Sequence, residues 1–129
     1  MSNAEIAPQE TLQPQEPPLV EIDRAHPFFE RVTAGLRTVY DPEIPVNIYE
    51  LGLIYFVDFI DQPEEKTDLR IVMTLTSPNC PVAEDMPDMV RDGVKRIEGI
   101  GEIKVEITWE PPYDSARMSE TAKLDMGMF

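Results

Sequence analysis

The single cysteine of this chain, Cys80, is the residue with the most reactive side chain. One thiol excludes an internal disulfide, an intramolecular CxxC redox pair and an all-thiolate metal site built by one chain alone. Cys80 lies in the run TSPNCP at residues 76–81, in which Pro81 is placed like a first helical residue. The predicted position of Cys80 is therefore at a helix N-cap, where backbone N–H groups stabilise a thiolate that binds metals or attacks electrophiles.

The residues around this thiol limit its activation. Glu84 and Asp85 follow within about a turn, and each carboxylate disfavours a thiolate. Pro87 would interrupt the predicted helix, so we expect its first turn to be separate or kinked near Ala83. The alternative is that Cys80 is a small buried residue that caps the helix, since free cysteines are commonly buried and inert.

A second group of chemistry-bearing residues is the acidic turn, DPEIPVN at residues 41–47. Its two prolines fix a tight turn and hold the carboxylates of Asp41 and Glu43 near each other. Carboxylates can bind iron through oxygen or act as acid and base. The alternative is a local capping turn in which Asp41 accepts hydrogen bonds from neighbouring N–H groups. Chemistry is expected here only if the turn meets Cys80 in the fold.

Structural roles are predicted for four other polar or aromatic residues. His26, which precedes the first helix, is predicted to be a surface or capping residue. Glu50 and Asp58 are predicted to be solvated, and Trp109 is predicted to face the core from the last strand.

Hydrophobic periodicity predicts the elements that position these residues. The predicted elements, in order, are a helix at about 27–39, a strand covered on both sides at 48–60, a loop at 61–68, a strand at 69–76, a helix at 82–97 and a strand at 102–110. The first two strands are expected to form an antiparallel hairpin. The order helix-strand-strand-helix-strand predicts an α/β fold, specifically an α+β two-layer sandwich with helices packed on a small mixed sheet.

The chain divides into three predicted parts. Residues 1–25 are rich in Pro and Glu and poor in large apolar side chains, which predicts a disordered leader. Residues 26–112 form the domain. Residues 113–129 form a tail with a short helix capped by Ser119, which we expect to dock on the domain or on a partner subunit.

Composition excludes several classes of function. The 129 residues include 25 acidic and 11 basic side chains, for a formal net charge of -14. Such a chain repels phosphate backbones and anionic membrane surfaces, so no nucleic-acid or membrane partner is expected. No apolar stretch approaches the roughly 20 residues of a membrane span, and we expect a cytoplasmic protein.

The motifs DPEIPVNI at 41–48, LGLIY at 51–55 and TLTSPNCP at 74–81 follow one another along the chain. Together with motifs nearer the C-terminus, they resemble the SufT-like family of iron-sulphur cluster assembly and maturation proteins. This group includes a domain of unknown function shared with PaaD-type proteins and the eukaryotic cytosolic iron-sulphur targeting factors. The resemblance covers about residues 28–127. It is carried by DPEIPVNI at 41–48, LGLIY at 51–55, TLTSPNCP at 74–81, WEPPY at 109–113, MSETAKL at 118–124 and GM at 127–128.

The resemblance implies a site and a role. The family's reactive cysteine falls on Cys80 and its acidic turn on Asp41 and Glu43, and the supporting loop residues are Thr76, Ser77 and Asn79. The implied cofactor is a transient iron-sulphur cluster or iron, with Cys80 as the candidate transient ligand and the two carboxylates as weaker candidates. The implied partners are the assembly machinery and apo-iron-sulphur client proteins.

The cysteine count restricts this role. A conventional cluster is held by four ligands, mostly thiolates, whereas one chain supplies one. A homodimer or a partner must then share the cluster, which favours a non-enzymatic delivery factor over a scaffold. The alternatives are a metal-free interaction adaptor and a cysteine-dependent enzyme of thiol or acyl transfer.

Overall fold

The computed structural model describes residues 15–41, 44–76 and 84–127. Four strands in these ranges form one mixed sheet on which helices pack, so the predicted α/β class is confirmed. In chain order the elements are β1 (Glu21–Ile22), α1 (Phe29–Leu36), α2 (Ile48–Leu51), β2 (Ile54–Gln62), β3 (Lys66–Met73), α3 (Met86–Val94), β4 (Ile100–Ile107), a 3-10 turn (Ser115–Arg117) and α4 (Glu120–Asp125).

The strand order in the sheet is β1-β2-β3-β4. β2 and β3 form the predicted antiparallel hairpin, with Asp58 opposite Arg70. β1 is parallel to β2, and β4 is parallel to β3. Because β3 and β4 are parallel neighbours joined through α3, both strands end at the same edge of the sheet.

The predicted loop at 61–68 is too long. Asp61 still pairs with Thr67, and β3 already begins at Lys66. Only a turn at residues 63–65 separates the strands, and its Glu64 and Glu65 have φ values of 66° and 61°. Asp61, Lys66 and Asp68, which belong to the predicted loop, instead lie on strand positions near the exposed hairpin end, where strands tolerate charge.

The predicted strand at 48–60 is wrong over its first residues, which form α2. The Asn47 side chain caps this helix by accepting a hydrogen bond of 2.9 Å from the Glu50 N–H. Gly52 ends it with a left-handed φ of 89°. The strand itself is covered on both sides only near its start, because Ile60 is 42% exposed.

The core lies between the sheet and the helices α1 and α3. These helices approach closely, since a Cβ atom at Gly93 would lie 2.9 Å from the Gly35 carbonyl oxygen. The largest fully buried side chains are Tyr49, Leu36, Ile48, Leu51, Leu53, Ile54, Leu69, Ile71, Met73, Met86, Val32 and Val90. None of the helices in the described chain has the length and apolar character that a bilayer span requires.

The last strand begins and ends earlier than predicted. β4 already begins at Ile100, and its final pairing with β3 joins Met73 to Ile107. The chain then turns, with the Glu110 N–H donating to the Thr108 hydroxyl at 3.2 Å. Trp109 therefore lies beyond the strand and is 42% exposed, so its predicted inward orientation is wrong.

Residues 15–25, which the sequence assigned to a disordered leader, contact the domain in the structure. Glu16 and Pro17 are buried, and β1 extends the sheet. The stretch is held by an ion pair of 2.8 Å between the Glu16 carboxylate and Arg37, and by burial of Val20. The rest of the predicted leader, residues 1–14, lies outside the described residues.

Candidate functional site

The predicted site residues are only partly described. Asp41 is buried, with 5% exposure, and Thr76 is exposed. Glu43, Ser77, Asn79 and Cys80 lie outside the described residues. The elements on either side of these residues therefore define the location of the site.

The segment that carries Cys80 joins the end of β3 to the start of α3. Connections that leave the carboxyl ends of parallel strands commonly carry binding sites, because they meet at one edge of the sheet. The chain leading into this segment is anchored by the Thr74 N–H, which donates to the Leu53 carbonyl at 2.8 Å. Leu75 is buried, so the chain leaves the core only at Thr76.

The start of α3 differs from the prediction. The helix begins at Met86 with Asp85 at its N-cap position, so Cys80 is not the cap of this helix. Pro87 lies in the first turn, where its missing N–H removes no intrahelical bond. The predicted kink near Ala83 lies outside the described residues. The helix dipole of α3 therefore acts at a point several residues beyond the thiol.

The acidic turn follows α1 at the same end of the molecule. Gly35 of α1 lies against Gly93 of α3, and farther along, Tyr40 and Met89 line one shallow groove. The chain after α1 therefore runs toward the beginning of α3, where the Cys80 segment joins it. The topology brings Asp41 and the ends of the Cys80 segment to one end of the fold, although they are far apart in sequence.

One buried polar atom at this edge was missed by the sequence reasoning. The Thr74 hydroxyl is fully buried and has no hydrogen-bond partner among the described residues. A buried hydroxyl without a hydrogen-bond partner lowers the stability of the fold. A nearby polar atom or a ligand could supply the missing hydrogen bond. Its only sequence signal is its place in the TLTSPNCP motif.

The predicted metal ligands lie mostly outside the described residues. Within residues 15–41, 44–76 and 84–127, no three His, Cys, Asp or Glu side chains come together to hold a metal ion. Of the predicted ligands, only Asp41 falls in these ranges, and the whole chain has one thiol. A conventional cluster is held by four ligands, mostly thiolates, so one thiol per chain is fewer than such a cluster requires.

A cluster of polar side chains with low exposure lies beside α2. The Arg37 guanidinium donates to Glu16 at 2.8 Å and to Glu50 at 3.2 Å. The Tyr49 hydroxyl donates to Glu16 at 2.7 Å, and burial with the adjacent carboxylate raises the pKa of Tyr49 far above its ordinary value. Glu50 also receives the Ser119 N–H on its carbonyl, at 2.8 Å. The prediction that Glu50 is solvated is therefore wrong, because its charge is paired.

The chain after β4 closes over α2. Arg117 donates to the Gly52 carbonyl at 3.3 Å, and its guanidinium lies 3.9 Å from the centre of the Tyr55 ring. The Tyr113 hydroxyl donates to the Leu51 carbonyl at 2.5 Å, and burial raises the pKa of Tyr113 to about 12. We call Gly52, Tyr55, Tyr113 and Arg117 the tail junction. The motifs LGLIY and WEPPY contain Gly52, Tyr55 and Tyr113, whereas Arg117 lies in neither motif. Neither motif predicted that these residues meet.

His26 combines a capping and a packing role. Its Nδ1 atom accepts from the Phe28 N–H at 3.1 Å, and its Nε2 atom lies 3.0 Å from an Asp61 oxygen. This hydrogen bond lowers the pKa of Asp61. The ring also stacks on Phe59 with 4.1 Å between centroids, and the side chain is only 11% exposed.

Comparison with known proteins identifies close relatives. The family described as "Iron-sulfur cluster assembly protein" matches residues 30–107. The chain is 45% identical to an Fe-S protein maturation auxiliary factor of Porphyromonas gingivalis, over 76% of this chain and 90% of that protein. It is 37% identical to the Fe-S protein maturation auxiliary factor SufT of Staphylococcus aureus, over 70% of this chain and 98% of that protein.

A solved structure shares this fold. The domain of unknown function DUF59 from Bacillus anthracis superposes with a TM-score of 0.66 at 34% sequence identity. The match covers 79% of this chain and 93% of that structure. The SufT-like resemblance seen in the motifs is thereby confirmed.

Proposed function

Because the chain belongs to the iron-sulfur cluster assembly protein family, we propose that it is an accessory factor in the maturation of iron-sulfur proteins. In this proposal the protein works in the cytoplasm, helps deliver clusters to apo-proteins and performs no catalytic turnover. The cluster is cargo that passes through the site. The names of the relatives support the general role, and Cys80 is our proposed point of contact with the cluster.

The observation that supports this proposal is the position of Asp41 relative to the described residues on either side of the Cys80 segment. The β3-α3-β4 crossover and the antiparallel approach of α1 to α3 bring Asp41 and the ends of the Cys80 segment to one end of the molecule. Thiolate and carboxylate are both ligands of iron, and thiolate is the usual ligand of a cluster. Cys80 would act as the transient ligand, with Asp41 and Glu43 as secondary oxygen ligands.

One thiol per chain makes a second molecule part of the mechanism. A homodimer would supply two thiols if both copies of Cys80 faced its axis, and a client or assembly protein could supply the others. A cluster bound by so few ligands of one chain is easily released. This property suits a protein that passes clusters on and does not suit one that stores them.

The role of Cys80 is tested by replacing it in cells that lack the native copy. We expect the Cys80→Ser and Cys80→Ala variants to lose maturation of cluster-dependent enzymes, because neither side chain is a soft thiolate ligand. The measurement is the activity of a cluster-dependent enzyme, with its apo-protein level as the reference. Circular dichroism of the purified variants provides the control for folding. Full rescue by both variants would remove Cys80 from the mechanism.

A metal-free interaction adaptor is the second candidate. It is favoured by exposed apolar side chains after β4, since Leu124 is 64% exposed and Trp109 is 42% exposed. Anaerobic reconstitution with iron and sulphide separates the two candidates. Retained iron with visible absorption supports delivery through Cys80, whereas partner capture that survives Cys80→Ser without any retained iron supports the adaptor.

A further inference from the structure

The outer edge of β2 is an unpaired strand edge that the proposed function does not use. β1 pairs with β2 only at Phe56 and Val57, although β2 continues to Gln62. Within the described chain, no strand pairs with the outer side of residues 58–62. Unpaired N–H and C=O groups along a strand are a template for another extended chain.

A groove of about 570 Å³ follows this edge, and we call it the edge groove. The loop that carries Asp23 and His26 forms one of its walls, and Ile22, Phe56 and Phe59 supply apolar surface. Five residues of extended chain span about 17 Å at a rise of roughly 3.3 Å each. The free part of β2 therefore offers room for a short peptide strand.

The charge of the edge groove is negative. Four carboxylates line it, and its lining contains no Lys or Arg; the four are Glu21, Asp23, Asp58 and Asp61. Two of them are well exposed, with 53% exposure for the Asp58 side chain and 72% for Asp61. Arg70 approaches Asp58 at 3.5 Å and His26 bonds Asp61, which leaves Glu21 and Asp23 as the acidic side chains beside β1.

The negative charge of the edge groove favours some possible binding segments over others. Residues 1–14 of the same chain contain Glu5 and Glu10 and no Lys or Arg, so their charge is unfavourable here. A second copy that paired through the same edge would place carboxylates opposite carboxylates, and like charges facing each other across strands are destabilising. A cationic segment has the complementary charge.

We propose that the edge groove binds an extended, lysine- or arginine-rich segment of a partner protein, which adds to the sheet as a strand beside β2. Main-chain hydrogen bonds to residues 58–62 supply affinity, and the four carboxylates select basic side chains at alternate positions. The groove lies on the edge where β2 is unpaired, and it requires neither Cys80 nor a cluster. This interaction is therefore separate from cluster delivery.

The test uses a fluorescent peptide in which lysine alternates with valine and threonine. Titration with the full chain is expected to give saturable binding at low salt that weakens at high salt, because exposed charges are screened. In a nitrogen-15 spectrum, shifts are expected at residues 21–23 and 56–62 and not along β4. A peptide with glutamate in place of lysine should not bind. An absence of saturation with the lysine peptide, or shifts confined to β4, would overturn the proposal.

Two matched double variants separate local recognition from total charge. Glu21→Gln with Asp58→Asn removes two carboxylates from the edge groove and should weaken binding roughly threefold to tenfold. Glu98→Gln with Glu102→Gln changes the net charge equally but lies outside the edge groove, so it should leave binding unchanged. Equal weakening in both double variants would show non-specific attraction to an acidic protein and would reject a site beside β2.

Discussion

An arginine makes the main polar contacts in both the tail junction and the hairpin face, but the two arginines lie in different surroundings. We define the hairpin face as Asp58, Arg70 and Glu106, which lie side by side on the open surface of the sheet. In the tail junction, Arg117 bonds the Gly52 carbonyl and stacks on Tyr55. In the hairpin face, Arg70 bonds Glu106 at 3.1 Å and remains 40% exposed.

The comparison of these two regions indicates that burial, and not the number of charged contacts, determines how much a polar contact contributes to the free energy of unfolding. Water competes for exposed ion pairs, so each contributes little. Water competes less for a partly buried hydrogen bond to a backbone carbonyl, and loss of that bond leaves a partly desolvated group unpaired. Substitutions in the tail junction should therefore lower the free energy of unfolding more than substitutions in the hairpin face.

The largest effect is expected for Gly52→Ala. Gly52 has a φ of 89°, and a Cβ atom there would overlap the backbone carbonyl of Arg117. Both strain and displacement of the tail contribute, so we expect a loss of about 3 kcal/mol in the free energy of unfolding, measured in urea. Gly127→Ala is the matched control, because its φ of 71° is also left-handed but its Cβ would meet nothing within 4 Å. Equal losses in both variants would show that backbone strain alone is responsible.

Tyr113→Phe should have an intermediate effect that depends on pH. Loss of the hydrogen bond to the Leu51 carbonyl should cost about 1 kcal/mol at neutral pH. Burial raises the pKa of Tyr113 to about 12, so the folded protein retains a proton that the unfolded chain releases above about pH 10. The free energy of unfolding of the wild type therefore falls as the pH rises from about 10 toward 12. The Phe variant lacks this decrease, because it has no hydroxyl to ionise.

The measurement for Tyr113→Phe is urea unfolding of both proteins at neutral and alkaline pH. The difference in stability should shrink above about pH 10, where the unfolded tyrosine begins to ionise. Tyr40→Phe is the control, since Tyr40 is 52% exposed and should show no such trend. A difference that stays constant into the alkaline range would contradict the assignment of a buried, protonated Tyr113.

The smallest effect is expected for Arg70→Met in the hairpin face. The variant loses the ion pairs with Glu106 and Asp58, and the exposed guanidinium lowers the pKa of Glu106 through its hydrogen bond. The loss of stability should be smaller than in the two previous variants and should disappear at high salt. Arg96→Met is the comparison, because Arg96 forms no ion pair with any described residue. A large loss that persists in salt would show that the hairpin face is not governed by screened charges.

Parts of the fold could be predicted from local pattern. The alternation Leu69, Ile71, Met73 specifies which face of β3 is buried, because side chains on a strand alternate between its faces. Ser119 was correctly identified as a helix cap, since its side chain accepts from the Ala122 N–H at 2.9 Å. Both signals depend on residues close in sequence.

Other parts of the fold were predicted wrongly because the sequence signals that decide them are local and weak. The α2 turn has strongly apolar residues, and their pattern resembles a buried strand. Only the Asn47 cap and the positive φ of Gly52 identify it as a helix. Pro87 was interpreted as an interior helix breaker because the start of α3 was placed too early. A few residues decide each of these boundaries.

By itself the sequence determined the chemistry that is available: one thiol, an acidic turn at residues 41–47 and a strongly negative net charge. It also determined the family, because the motifs at residues 41–48, 51–55 and 74–81 occur together in this order. The tertiary structure decided which residues meet. Glu50 joins Arg37 and Ser119, Tyr113 joins Leu51, and β2 keeps an open edge. These contacts depend on packing between elements that are distant in sequence, and no local pattern of side chains encodes that packing.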